Sequence, residues 1–74
     1  MAANYRYRFT ILGRYPARLK ENETALTVNV LAGKGEHLTY AGTLTMTESE
    51  WTHFIEALQL SLGERVEIDD HHLH

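Results

Sequence analysis

Five basic side chains, Arg6, Arg8, Arg14, Arg18 and Lys20, crowd the first 20 residues, and no carboxylate accompanies them. Guanidinium and ammonium groups at that density attract anions, either the phosphates of a nucleic acid or the carboxylates of a protein. Residues 21–74 reverse the balance: ten acids stand against Lys34 and Arg65, and the 74-residue chain carries a net charge of −3. The expected molecule therefore has a basic flank and an acidic flank. Such flanks can neutralise each other within one fold, pair reciprocally between subunits, or hold an anion on the basic side. The negative total disfavours a dedicated nucleic-acid binder, which is ordinarily strongly basic.

Other chemistry is thinly supplied. The chain has no cysteine, so disulfides, thiolate nucleophiles and thiolate metal sites are excluded. Its only serines, Ser49 and Ser61, both fall in a helical pattern. Neither an HExxH pair nor a Gly-rich phosphate loop occurs, and "AGKGE" (32–36) reads as a hairpin tip. The terminal "DDHHLH" holds His71, His72 and His74, but adjacent donors on a frayed tail (70–74) lack the convergence of a metal site. No metal or cofactor is expected, and no enzyme activity. A domain this thin leaves little room for a ligand pocket of about 300 Å³ or more.

The elements that would position the basic residues follow from periodicity. "YRYRFTIL" (5–12) alternates: as a strand, Tyr5, Tyr7, Phe9 and Ile11 face a core, while Arg6, Arg8, Thr10 and Leu12 face away. "GRYPARLKENE" (13–23) is irregular. Gly13 suits a bulge or turn, and Pro16 belongs to an edge or a loop. The stretch makes either a long bulged hairpin or a short one with an ordered loop. "ALTVNVLA" (25–32) points Leu26, Val28 and Val30 inward, with Thr27, Asn29 and Leu31 outward. After a three-residue "GKG" loop, "EHLTYAGTLTM" (36–46) points Leu38, Tyr40, Leu44 and Met46 inward. His37, Thr39, Ala41, Thr43 and Thr45 are then outward. Pairing Ala32 with Glu36 sets Val30 opposite Leu38, Val28 opposite Tyr40 and Leu26 opposite Gly42, a gap that Trp51 would fill.

Thr47-Glu48-Ser49-Glu50 has the form of a capping box, and predicts a helix over about 48–62. Trp51, Phe54, Ile55, Leu58 and Leu62 make its buried stripe, and Gly63 ends it. "RVEID" (65–69) reads as a short final strand. The chain is thus expected to be one α+β domain over 1–74, β-β-β-α-β: a three-stranded antiparallel meander, one helix across one face, and a short fourth strand that returns parallel to the first by a right-handed crossover or sits at an edge. The other sheet face is left bare, carrying Arg6, Arg8, Asn29 and Leu31. On the helix, Leu60 lies opposite the buried stripe beside His53, a second place where another chain could touch.

The lack of a long apolar run and of an apolar leader in "MAANYRYRF" sets a cytoplasmic protein as the expectation, with no membrane contact. Small cores rarely supply more than about 3–5 kcal/mol, so without disulfides or metal, self-association is the expected remedy. The function expected is a non-catalytic interaction module. It binds a protein partner as a homo-oligomer, in the manner of an inhibitor or accessory protein. Arg6, Arg8 and Arg14 would meet the partner's carboxylates, and the first strand would offer an unpaired edge. The alternative is a nucleic acid or other phosphate-bearing ligand held by Arg6, Arg8, Arg14, Arg18 and Lys20, with Asn29 reading a base.

Overall fold

The computed structural model describes residues 5–16 and 23–70. Strands β1 (Tyr5–Pro16), β2 (Thr24–Lys34) and β3 (His37–Thr47) form the meander. Helix α1 (Glu48–Leu62) and a 3₁₀ turn (Gly63–Arg65) lead to β4 (Val66–Asp70). The sheet order is β3-β2-β1-β4, with β4 parallel to β1 and the other neighbours antiparallel. The expected α+β architecture and element order are those observed.

The helix begins where the capping box places it. Thr47 Oγ1 accepts from the Glu50 amide at 3.2 Å, and the Glu50 carboxylate accepts from the Thr47 amide at 2.9 Å. Gly63 closes the helix at φ +60°, a region where a side chain would strain. The helix lays Trp51, Phe54, Ile55 and Leu58 against the sheet. Phe9 meets Trp51 at 6.1 Å and Phe54 at 5.7 Å between ring centroids, both edge-on. Phe9, Ile11, Leu26, Val28 and Trp51 are the buried centre, with Tyr7, Val30, Leu44, Met46 and Val66 packed round it. No described helix is long and apolar enough to cross a membrane.

Three expectations are corrected. First, the β2–β3 connection is a two-residue turn, not three. Gly35 takes φ +59° at the first turn position, which suits a tight hairpin and fixes Lys34 opposite His37. Val28 then faces Leu44, Val30 faces Gly42 and Leu26 faces Met46, so Trp51 has no gap to fill at Leu26. Second, the ladder shifts between Val30 and Leu31, leaving Ala41 as an extra residue in β3. That bulge reverses the facing of everything before it. Tyr40, expected in the core, pairs with the outward Leu31 and is 62% exposed. Leu38 goes with it, while His37 and Thr39 join the helix-side rows opposite Lys34 and Ala32. Third, β1 is not an edge: it is bonded to β2 on one side and, over Tyr7–Ile11, to β4 on the other. Among the described residues, the outermost strands are β3 and β4.

Of the irregular 13–23 stretch, residues 17–22 lie outside the described residues, and the described part has the bulge of the long-hairpin alternative. β1 runs on to Pro16 opposite Thr24, with Leu12 as an extra residue between Ile11 and Gly13.

Candidate functional site

The sheet face away from the helix is the candidate site, and the register assembles it row by row. Arg6, Gly33 and Leu38 form one row. Glu67, Arg8, Leu31 and Tyr40 form the next, one residue from each strand. Asp69, Thr10, Asn29 and Thr43 follow. The face ends in threonines: Thr27 opposite Thr45, then Tyr15, Ala25 and Thr47. Gly33 leaves no side chain between Arg6 and Leu38, and it can only be glycine: a Cβ there would fall on the His37 carbonyl oxygen, a backbone atom.

Hydrogen bonds tie the rows together. Thr43 donates to Asn29 Oδ1 at 2.8 Å, and the Tyr40 hydroxyl shares a bond with the Thr43 hydroxyl. Tyr15 and Thr27 share another at 3.1 Å. Asn29 is thus engaged with its neighbour rather than presented for base reading. Thr10 lies in the middle of the face yet is buried, enclosed by neighbours on both sides.

The two arginines of the face converge on one carboxylate. Arg8 reaches Glu67 Oε1 through both Nε and Nη2 at 3.3 Å, and Arg6 Nη2 lies 3.6 Å from the same oxygen. Arg6 also donates to the Gly35 carbonyl at 3.3 Å. With Asp69 one row away, the described rows of the face carry two guanidinium groups and two carboxylates, which balance in charge. These pairs are half-exposed, and ion pairs of that kind contribute about 0–1 kcal/mol each.

Arg14 is elsewhere. The Leu12 bulge puts it opposite Leu26, in the helix-side rows. There it donates to both oxygens of Asp70, at 3.3 and 3.0 Å, and to Glu48 at 3.4 Å. The Asp70 bond is the main cause raising the Arg14 pKa above its ordinary value, against an opposing effect of burial. A cation with a raised folded pKa contributes stability below the ordinary arginine range and loses it only in strong alkali. The guanidinium is therefore charged at any pH near neutrality. Arg18 and Lys20 lie outside the described residues.

On the helix's outer side, Leu60 is 89% exposed and His53 is exposed two turns earlier. Glu56, Gln59 and Leu60 line an open depression of about 400 Å³. Among the described residues, no three histidines or carboxylates converge to hold a metal.

Sequence reasoning placed Arg6, Arg8, Asn29 and Leu31 on this face, and the structure brings them together there. It missed Tyr40, Leu38 and Glu67. The available signal was Gly35: a two-residue turn starting at that glycine sets Lys34 against His37, and Leu31 against Tyr40 three residues further on each side. Against known protein families, curated proteins and solved structures, the chain shows no match.

Proposed function

We propose that the protein is a non-catalytic binding module that works as a homo-oligomer and engages a protein partner through the open sheet face. The observation that supports this is the row Glu67–Arg8–Leu31–Tyr40. Tyrosine and arginine are the side chains most often found at the energetic centres of protein interfaces, and here they flank an aliphatic residue on a rigid sheet. The row's charges are internally paired, so its apolar and aromatic surface rather than a net field selects the partner. A phosphate ligand finds less here: both arginines already share Glu67.

The oligomer is tested by light scattering at low and high salt. The expected particle has at least twice the 8.5 kDa of one chain and dissociates on dilution. The face is tested by comparing wild type with the folded variant Leu31→Asp/Arg8→Glu. A protein that co-purifies with the first, rebinds when purified, and is lost from the second supports the proposal. Duplex DNA binding whose log–log salt slope approaches about −0.9 per phosphate engaged would replace it with the nucleic-acid alternative. A monomer at every concentration overturns the oligomer.

A further inference from the structure

The two outermost strands of the sheet are built very differently. β4 has five residues, three of them acidic: Glu67, Asp69 and Asp70. Short length and repelling charge are the usual defences of an edge strand. β3 has 11 residues, and from Leu38 to Thr47 it carries neither a charge nor a proline. Its single irregularity is the Ala41 bulge, and the six residues beyond that run as an unbroken ladder from Gly42 to Thr47.

The tight turn also says which way the backbone groups of β3 point. With only two residues between them, Lys34 and His37 must be a hydrogen-bonded pair, and bonded and non-bonded pairs then alternate along β2. Val28–Leu44 and Leu26–Met46 fall on the bonded set. Asn29–Thr43 and Thr27–Thr45 fall on the other. The amides and carbonyls of Thr43 and Thr45 thus point away from β2. Among the described residues, no strand lies on that side.

We infer that β3 pairs antiparallel with β3 of a second copy, making one continuous eight-stranded sheet. A second copy is the occupant for three reasons. Antiparallel pairing of identical strands closes on a two-fold axis, whereas β3 against a partner's β4 would propagate without closing and would add three carboxylates. No register of β3 on itself opposes like charges, since 38–47 has none. The outward positions Thr43, Thr45 and Thr47 are all threonine, so overlap of this segment sets threonine against threonine, a favourable cross-strand pair. The axis stands perpendicular to the sheet. Both helices then lie on one side, and the two open faces join into a single surface on the other.

The contact area sets its strength. The 43–47 overlap is about 17 Å long, and a strip of that length and about 10 Å width offers about 170 Å² per copy, about a fifth of the usual share of about 800 Å² in a stable complex. The dimer is accordingly weak and concentration-dependent.

This inference rests on the self-association proposed above, and its test separates the two. Sedimentation of the full chain from low micromolar to near-millimolar concentration is compared for wild type, Thr45→Pro, Thr45→Val and Leu31→Asp. Proline deletes an outward amide and leaves the β2 ladder intact, as edge strands tolerate. Valine keeps the amide and removes only the hydroxyl. The inference predicts dimers for wild type, Thr45→Val and Leu31→Asp, and a monomer for Thr45→Pro with unchanged Trp51 fluorescence. Amide exchange at Thr43 and Thr45 should slow as concentration rises, a readout that does not depend on any variant folding. A dimer that survives Thr45→Pro but is lost in Leu31→Asp overturns edge pairing and leaves the oligomer standing on the open face. A wild type that stays monomeric throughout overturns both.

Discussion

Replacing Arg14 by alanine should cost about 2 kcal/mol, a large share of what holds this fold together. Arg14 ties three elements that are distant in the chain: it sits in β1, and its guanidinium reaches Asp70 at the end of β4 and Glu48 in the first turn of α1. The side chains of Arg14 and Asp70 are 22% and 25% exposed, so the pair is better shielded than a surface ion pair. Exposed pairs contribute about 0.2–1 kcal/mol, and hydrogen bonds to charged groups about 1.5–3 kcal/mol. The two-pronged contact with Asp70 falls between these, at about 1–1.5 kcal/mol, and the half-exposed Glu48 adds a few tenths. Loss of the guanidinium's packed stem supplies the remainder. A chain this size has about 3–5 kcal/mol in total, and 1 kcal/mol shifts its melting temperature by about 4–8 °C, so Arg14→Ala should melt about 10 °C lower. The assay is thermal and urea unfolding followed by circular dichroism and Trp51 fluorescence. Arg8→Ala is the control: its Glu67 partner is 46% exposed, and the loss should be within about 0.5 kcal/mol. A double-mutant cycle of Arg14→Ala with Asp70→Asn isolates the coupling. Coupling below about 0.3 kcal/mol, or a larger loss for Arg8→Ala than for Arg14→Ala, would refute the assignment of Arg14 as a clamp.

Two other substitutions probe the local geometry. In Gly33→Ala the new methyl would fall on the His37 carbonyl oxygen and 2.8 Å from its carbon. Backbone atoms cannot rotate aside, so the hairpin end must open at a cost of about 1–3 kcal/mol in urea unfolding; a neutral result would mean the strands are spaced differently there. In Thr47→Ala the capping box loses its hydroxyl, and helix content and stability should fall by about 1 kcal/mol, with Thr47→Ser recovering most of it. If serine fails to recover it, the threonine acts through its place at the end of β3 instead.

Periodicity was enough for the elements themselves, because each carries a pattern that only one structure satisfies. The helix is marked at both ends, by the Thr47–Glu50 box and by Gly63, and its stripe has no strand-like alternative. Facing within the strands is a different matter. A strand's alternation has period two, so one inserted residue exchanges its faces from that point on. Leu12 and Ala41 are such residues. Gly13 signals the first, but the second is not visible as a break in apolar alternation: Leu38, Tyr40, Leu44 and Met46 keep even spacing straight through Ala41. The pattern is unbroken in sequence and broken in space. Central placement of β1 was legible as one of two options, β4 returning parallel to β1 by a right-handed crossover or sitting at an edge, and the parallel return is the one observed.

The two bulges together change what kind of surface the protein presents. Without them, parity would leave Tyr40 and Leu38 in the helix-side rows and set Arg14 on the open face with Arg6 and Arg8. That face would hold three arginines and little apolar area, and a phosphate backbone would be its natural ligand. The Leu12 bulge instead turns Arg14 toward Asp70 and Glu48, where its charge is spent within the fold. The Ala41 bulge turns Tyr40 and Leu38 outward beside Leu31. β4 then brings Glu67 against the two remaining arginines. Each step removes positive charge from the face or adds apolar surface to it, and all three act in the same direction. A charge-paired, aromatic and aliphatic face fits the proposed protein partner better than it fits a polyanion. Of the basic residues that first suggest nucleic acid, Arg6 and Arg8 are thus paired to Glu67 on the open face and Arg14 to Asp70 and Glu48 behind it, which is why the protein-partner proposal is preferred to the phosphate one.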